Sequence, residues 1–250
     1  MTRELPEPPA ILCVHGWACE GAQFAGLGAL LRAAGCRVVC PDLPGHGSTP
    51  LDGFRPGFPE YARWIADFAL AHGLGEAAVI GHSMGGVLAL LAAAGDARFR
   101  PRAIVNLDGA LPATDAVLAG QATLRDWLGR PDFRPRLAGL LRETFFLPHE
   151  RDDRCDAIVR AMCAAPEEVL RFLPERIGTL RPEEILRHVR TPVLYIGSAA
   201  PRFDAARTAD WLADFRLERV PDAGHFLHIY AAERVAALAT EFFRAAGYSS

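Results

Sequence analysis

The segment Gly81-His82-Ser83-Met84-Gly85 sets a serine between two glycines. In a G-x-S-x-G turn between a strand and a helix, the serine hydroxyl is presented as a nucleophile. Such a turn strains the serine backbone, and Gly81 and Gly85 remove side chains that would collide there. A helix starting at Met84 would point free N–H groups and partial positive charge at the reacting atoms. The bare string is common by chance. A strand before it and a helix after it are what distinguish it from a serine that merely opens a helix.

Two further segments complete the chemistry that such a serine needs. Asp222-Ala223-Gly224-His225-Phe226 puts a histidine on a loop near the end of the chain, where it can reach the serine as general base. His15-Gly16-Trp17 offers backbone N–H groups, and a tetrahedral intermediate needs such donors for its oxyanion, worth several kcal/mol. Trp17 N–H and Met84 N–H are the two expected donors, with Gly16 allowing close approach. A tight turn with no catalytic role is the competing reading. Among the other histidines, His15, His46 and His82 accompany glycine turns and are expected to bond backbone locally. His228 reads as a packing neighbour, because an H-x-x-H pair has no third metal ligand in sight.

These segments need a scaffold that delivers them to one place. Short apolar runs bounded by turn residues read as buried parallel strands: Ala10–Val14, Arg37–Cys40, Ala77–Ile80, Ala103–Leu107, Val193–Ile196 and Leu217–Val220. Helices are expected between them at Gln23–Ala34, Pro59–His72, Met84–Ala94, Ala205–Phe215 and Ala231–Ala246, long enough for parallel crossovers. The three chemical segments each follow a strand, so a parallel sheet gathers them at its carboxyl edge. The rhythm breaks at 112–190, where helical spacing replaces strands, with breakers at Pro131, Pro135, Pro148, Pro166, Pro174 and Pro182. We read a core of residues 1–111 and 191–250 with a helical cap, 112–190, inserted as a lid over the site. A helical subdomain with solvated outer faces is the blander reading.

Composition narrows the classes of partner. The 250 residues carry a net charge of −3 and are 50% hydrophobic, as expected of a globular protein with one sizeable core. All 27 basic residues are arginine, which we read as compositional bias. A slightly acidic chain argues against a nucleic-acid binder. The apolar stretches, such as Val87–Ala94, fall short of the ~20 residues that a membrane span needs. The polar, proline-rich Met1–Pro9 has no secretory pattern, and six cysteines without a CxxC pair read as reduced core thiols. A cytoplasmic address is expected, with no metal and no organic cofactor.

Taken together, His15-Gly16-Trp17, Pro41-Asp42-Leu43-Pro44-Gly45-His46-Gly47-Ser48, Gly81–Gly86 and Ala223-Gly224-His225-Phe226 resemble the α/β-hydrolase fold superfamily. Order and intervals match over nearly the whole chain except the insertion. The resemblance implies an α/β fold: a mostly parallel sheet of about six strands flanked by helices, with a cap after the sixth family strand. It also implies a Ser–acid–His triad that includes Ser83 and His225. Only nine residues precede the first strand, so the opening antiparallel hairpin of the family is expected to be missing.

The acid is the point of departure from that pattern. Many relatives carry it after the strand corresponding to Val193–Ile196, as Gly-x-x-Asp, whereas this chain reads Gly197-Ser198-Ala199-Ala200. Two candidates remain. Asp108 ends the preceding strand, where some relatives place their acid. Asp204 lies four residues past Ala200, where a helix N-cap would also explain it. Asp108 is the favoured acid and Asp204 the alternative. Apolar residues flanking the site (Trp17, Phe226 and Leu227 from the core; Trp127, Phe145, Phe146, Leu147, Met162 and Phe172 from the insertion) and the absence of an arginine cluster near the motifs point to a small-molecule substrate: a small, mostly apolar ester or lactone. Other chemistries on this scaffold stay open. They are a cofactor-free dioxygenase using the His–Asp pair, a C–C bond hydrolase, and a ligand-sensing protein.

Overall fold

Six strands form between turn residues: β1 (Ala10–Val14), β2 (Arg37–Val39), β3 (Ala78–His82), β4 (Ile104–Leu107), β5 (Val193–Gly197) and β6 (Phe215–Arg219). They were obtained from a computed structural model that describes residues 8–200 and 202–248. Residues 1–7, and with them most of the Met1–Pro9 segment, lie outside the described residues. The strands make one sheet in the order β2-β1-β3-β4-β5-β6, and every pairing is parallel. The described sheet therefore has no antiparallel hairpin. The chain runs from β1 outward to β2, then crosses back to place β3 on the other side of β1. That reversal opens a crevice at the carboxyl edge between β1 and β3.

β1, β3, β4 and β5 are buried along their whole length, as continuous apolar runs between two helical layers should be. α1 (Ala25–Ala33) and, at the far end of the chain, α11 (Ala232–Ala245) pack on one face. α11 buries Val235, Leu238, Ala239, Phe242 and Phe243, a single stripe at helical spacing. α2 (Phe58–Ala71) and α3 (Met84–Gly95) cover the other face. α3 is buried nearly all round because it lies between the sheet, α2 and the helices that follow β4.

Those helices are α4 (Asp115–Trp127), α5 (Phe133–Phe145), α6 (Asp153–Ala164) and α7 (Glu167–Arg176), which lie over the carboxyl edge of the sheet. A short α8 (Pro182–Leu186) returns to pack on α3. α9 (Ala205–Trp211) and α10 (Leu227–Tyr230) complete the chain. No helix among the described residues is long and apolar enough to cross a membrane.

Two expected elements differ. The helix drawn over Ala205–Phe215 ends at Trp211, because Phe215 already pairs with Val193 in the sheet. The last strand is not buried: Arg216, Leu217, Glu218 and Arg219 are exposed. It is an edge strand, and its charges guard the open edge against pairing with another chain.

Candidate active site

The turn from β3 into α3 brings Ser83 to φ +53°, in the left-handed region that costs an L-residue energy. The glycines make that turn possible. A Cβ on Gly85 would overlap the Val14 and His15 carbonyl oxygens, and one on Gly81 would meet the backbone of Gly85 and Gly86. Ser83 N–H is spent on the Leu107 carbonyl at 2.8 Å. Met84 N–H, first in the helix, has no acceptor among the described residues, and neither has Trp17 N–H. Trp17 and Met84 line the same cavity as Ser83.

The Pro41–Ser48 segment serves the loop after β1. Asp42 accepts from Gly21 N–H (2.7 Å) and Ser48 N–H (2.8 Å), and His15 Nε2 accepts from Leu43 N–H (2.9 Å). From above, the Trp17 indole N–H donates to the Val169 carbonyl of α7 at 2.7 Å. The His15-Gly16-Trp17 turn is thus fixed on both sides. Burial holds His15 down at about 3 and His46 at about 4, so both rings are neutral at neutral pH.

His225 and Asp108 come together. His225 Nδ1 lies 2.7 Å from Asp108 Oδ2, with both side chains out of water. Asp108 stands at φ +54°, a conformation that short polar side chains tolerate better than most. Its Oδ1 accepts from Ser198 N–H at 3.0 Å, and Arg202 Nε lies 3.1 Å from Oδ2. That contact is an ion pair without hydrogen-bond alignment, since Nε finds no acceptor. Every group around the carboxyl is a donor or a cation, which suits the ionised form. Burial pushes Asp108 up, against the pull of Arg202 and Ser198. Burial and then the Arg202 cation hold His225 well below the usual histidine range. A neutral imidazole that donates Nδ1–H to a carboxylate leaves Nε2 as the base.

Ser83 and His225 line one cavity, with no direct hydrogen bond between them. Bonds of this kind tighten when substrate is bound. Asp204 lies elsewhere. Its side chain accepts from Arg207 N–H at 3.1 Å and caps α9.

The cavity encloses about 40 Å³. Of the apolar residues anticipated around it, Trp17, Phe145, Met162 and Phe226 line it, whereas Leu227, Trp127, Phe146, Leu147 and Phe172 do not. Phe172 packs instead on Phe58 and Tyr61, and Phe146 stacks on Phe226. Val117, Gln121, Leu173 and Arg202 were not anticipated. Arg202 was discoverable only in part, as the one cation two residues past Ala200. His82 was misread: it donates not to local backbone but to the His225 carbonyl, at 2.9 Å. His228 is a packing residue, stacked on Phe24 and tilted against His82.

Comparison with known proteins places the chain in a family. A pimeloyl-[acyl-carrier protein] methyl ester esterase of Aromatoleum aromaticum is 29% identical over 242 residues, covering 87% of this chain and 91% of that protein. The magnesium-chelatase 30 kDa subunit of Rhodobacter capsulatus is 30% identical over 250 residues, covering 90% and 83%. Among solved structures, the enol-lactonase from Burkholderia xenovorans LB400 superposes with a TM-score of 0.80 at 19% identity, covering 97% of this chain and 94% of that one. The relatives bear different names, so likeness alone does not select a substrate. It does agree on the scaffold, and residues 11–238, from the first strand to the last helix, match the sequence pattern of the alpha/beta hydrolase family, to which the chain belongs.

Proposed function

We propose that the protein is a serine hydrolase that cleaves small, mostly apolar carboxylic esters or lactones through an acyl-enzyme on Ser83. The observation that carries this reading is the buried 2.7 Å contact between His225 and Asp108, on the wall of the cavity that holds the strained Ser83 turn. A serine held at positive φ between two glycines that admit no side chain supports the nucleophile reading. His225 Nε2 takes the Ser83 proton as Oγ attacks the carbonyl carbon. Trp17 and Met84 N–H groups receive the oxyanion. His225, now charged and steadied by Asp108, protonates the leaving oxygen. A water deprotonated by the same ring then releases the acid and restores Ser83. The cavity's about 40 Å³ has room for only a few water-sized groups, and this favours a small acyl group.

The test is labelling with a fluorophosphonate, followed by a panel of p-nitrophenyl esters and lactones. Stoichiometric labelling that disappears in Ser83→Ala is expected. An enzyme that turns over esters while Ser83 stays unlabelled would refute the acyl-enzyme. Oxygen consumption with no labelling would favour oxygenase chemistry on the His225–Asp108 pair.

A further inference from the structure

We propose that Glu150 is a positioning residue for the base: from the helical insertion it grips the loop that carries His225. The inference rests on His225 having the role given above. Glu150 ends a single tight turn, Pro148–Glu150, between α5 and α6. It is 1% exposed. Its Oε2 accepts from Leu147 N–H and its Oε1 from Gly224 N–H, each at 2.9 Å. Gly224 directly precedes His225, whose own N–H donates to the Phe145 carbonyl at 2.8 Å. Two consecutive amides of the base's loop are therefore bound by the insertion.

A buried carboxylate is costly, and one with no cation against it is costlier. Among the described residues Glu150 has none; its partners are backbone N–H groups. A turn closed by Glu150 alone would need only the Leu147 bond. The second oxygen reaches 74 residues along the chain, to the loop beside the imidazole. Gly224 is fitted to that grip, because a Cβ there would run into Glu150 Oε2 and the Phe145 carbonyl. The acid's side of the pair is tied to the same stretch, through Arg202 Nη2 donating to the Thr144 carbonyl at 3.0 Å. His225 approaches Asp108 along a direction that the insertion sets. The helices over the site thus act as a clamp on the base as well as a cover.

Glu150→Gln separates this role from packing. Glutamine has the same size but turns an NH2 donor toward one of the two N–H groups that the carboxylate served. The rate constant for fluorophosphonate labelling of Ser83 is measured against pH for both proteins, alongside melting temperature. The expected result is a folded variant labelled about a hundredfold more slowly, the scale of a 1 Å misplacement of a reacting group. The inflection of its acid limb should also move up, toward the usual histidine value, as the loosened ring gains water. Should Glu150→Gln not fold, Glu150→Asp, one methylene too short to span both donors, is read in the same way. Wild-type rate, or a slower rate with an unmoved inflection, would overturn the proposal and leave the triad standing. Wild-type protein that does not label at all would instead remove the reading on which it rests.

Discussion

Replacing Arg202 with methionine should move the acid limb of activity to higher pH. Arg202 Nε lies 3.1 Å from Asp108 Oδ2, the oxygen that His225 Nδ1 reaches at 2.7 Å. Two groups that meet one oxygen at these distances stand at most about 6 Å apart. At that separation two unit charges repel by about 3 kcal/mol with an effective dielectric of about 20, and by about 0.7 kcal/mol in water. The Arg202 side chain is 14% exposed and the Asp108 side chain fully buried, so the first figure is the nearer guide. At about 1.4 kcal/mol per pH unit, the range is roughly half a unit to two units. The sign follows from the charges. Arg202 disfavours the imidazolium, so its removal favours it, and His225 protonates at higher pH. Methionine keeps an apolar chain over the Phe145 ring, which the guanidinium now covers at 4.6 Å. Above the limb, the rate should fall by no more than the roughly ten- to hundredfold that one lost charged hydrogen bond, to Thr144, accounts for. The assay is kcat/KM for a p-nitrophenyl ester against pH. An inflection that stays in place or moves down would show that burial alone sets the ring's affinity for protons, and would refute the electrostatic reasoning.

Other expectations follow from the same contacts. Asp108→Asn should cost about four orders of magnitude in kcat, by analogy with serine proteases, while Asp204→Ala should leave kcat intact and lower stability by about 1 kcal/mol through loss of the α9 cap. Kinetics and denaturant titration of the two variants check this, and equal activity losses would return Asp204 to candidacy. The buried histidines make the fold acid-sensitive. With His15 at about 3 and His46 at about 4 when folded, and both near 6.5 when unfolded, the unfolded chain binds more protons below that value. Stability is then lost as pH falls, by about 2 kcal/mol per ring at pH 5. A urea midpoint unchanged between pH 7 and 5 would contradict it.

The buried strands and the serine turn were legible because their signals are local. A continuous apolar run is nearly enough to make a strand between two helical layers, and G-x-S-x-G needs only its own neighbours. β6 misled because Leu217 and Val220 read as a buried run, whereas the charges of Arg216, Glu218 and Arg219 mark an edge strand with a partner on one side only. Residues that act at long range were the ones missed. His82 meets the His225 carbonyl across the whole insertion and Glu150 meets Gly224 from within it, and such pairs leave no periodicity in a single sequence. Arg202 was overlooked for a related reason. The pattern Gly-x-x-Asp concerns a carboxylate in that loop, and a cation two residues further on has meaning only beside Asp108, which it faces.

The position of Asp108, the proposed acid, has a geometric cause in the sheet. β4 and β5 are neighbours, with Leu107 paired to Ile196, so Asp108 and Gly197 leave the carboxyl edge side by side. A carboxylate beside His225 Nδ1 can be delivered from either strand end. In this chain β4 delivers it, and the loop after β5, with alanine at position 200, takes up the complementary task. Ser198 N–H bonds the Asp108 carboxylate and Arg202 lies against it. Both loops thus meet at one point, the Asp108 carboxylate beside the imidazole. Alanine at position 200 and the arginine in the cavity are on this view a single feature of the site, and the proposed base has both a carboxylate and a cation beside it.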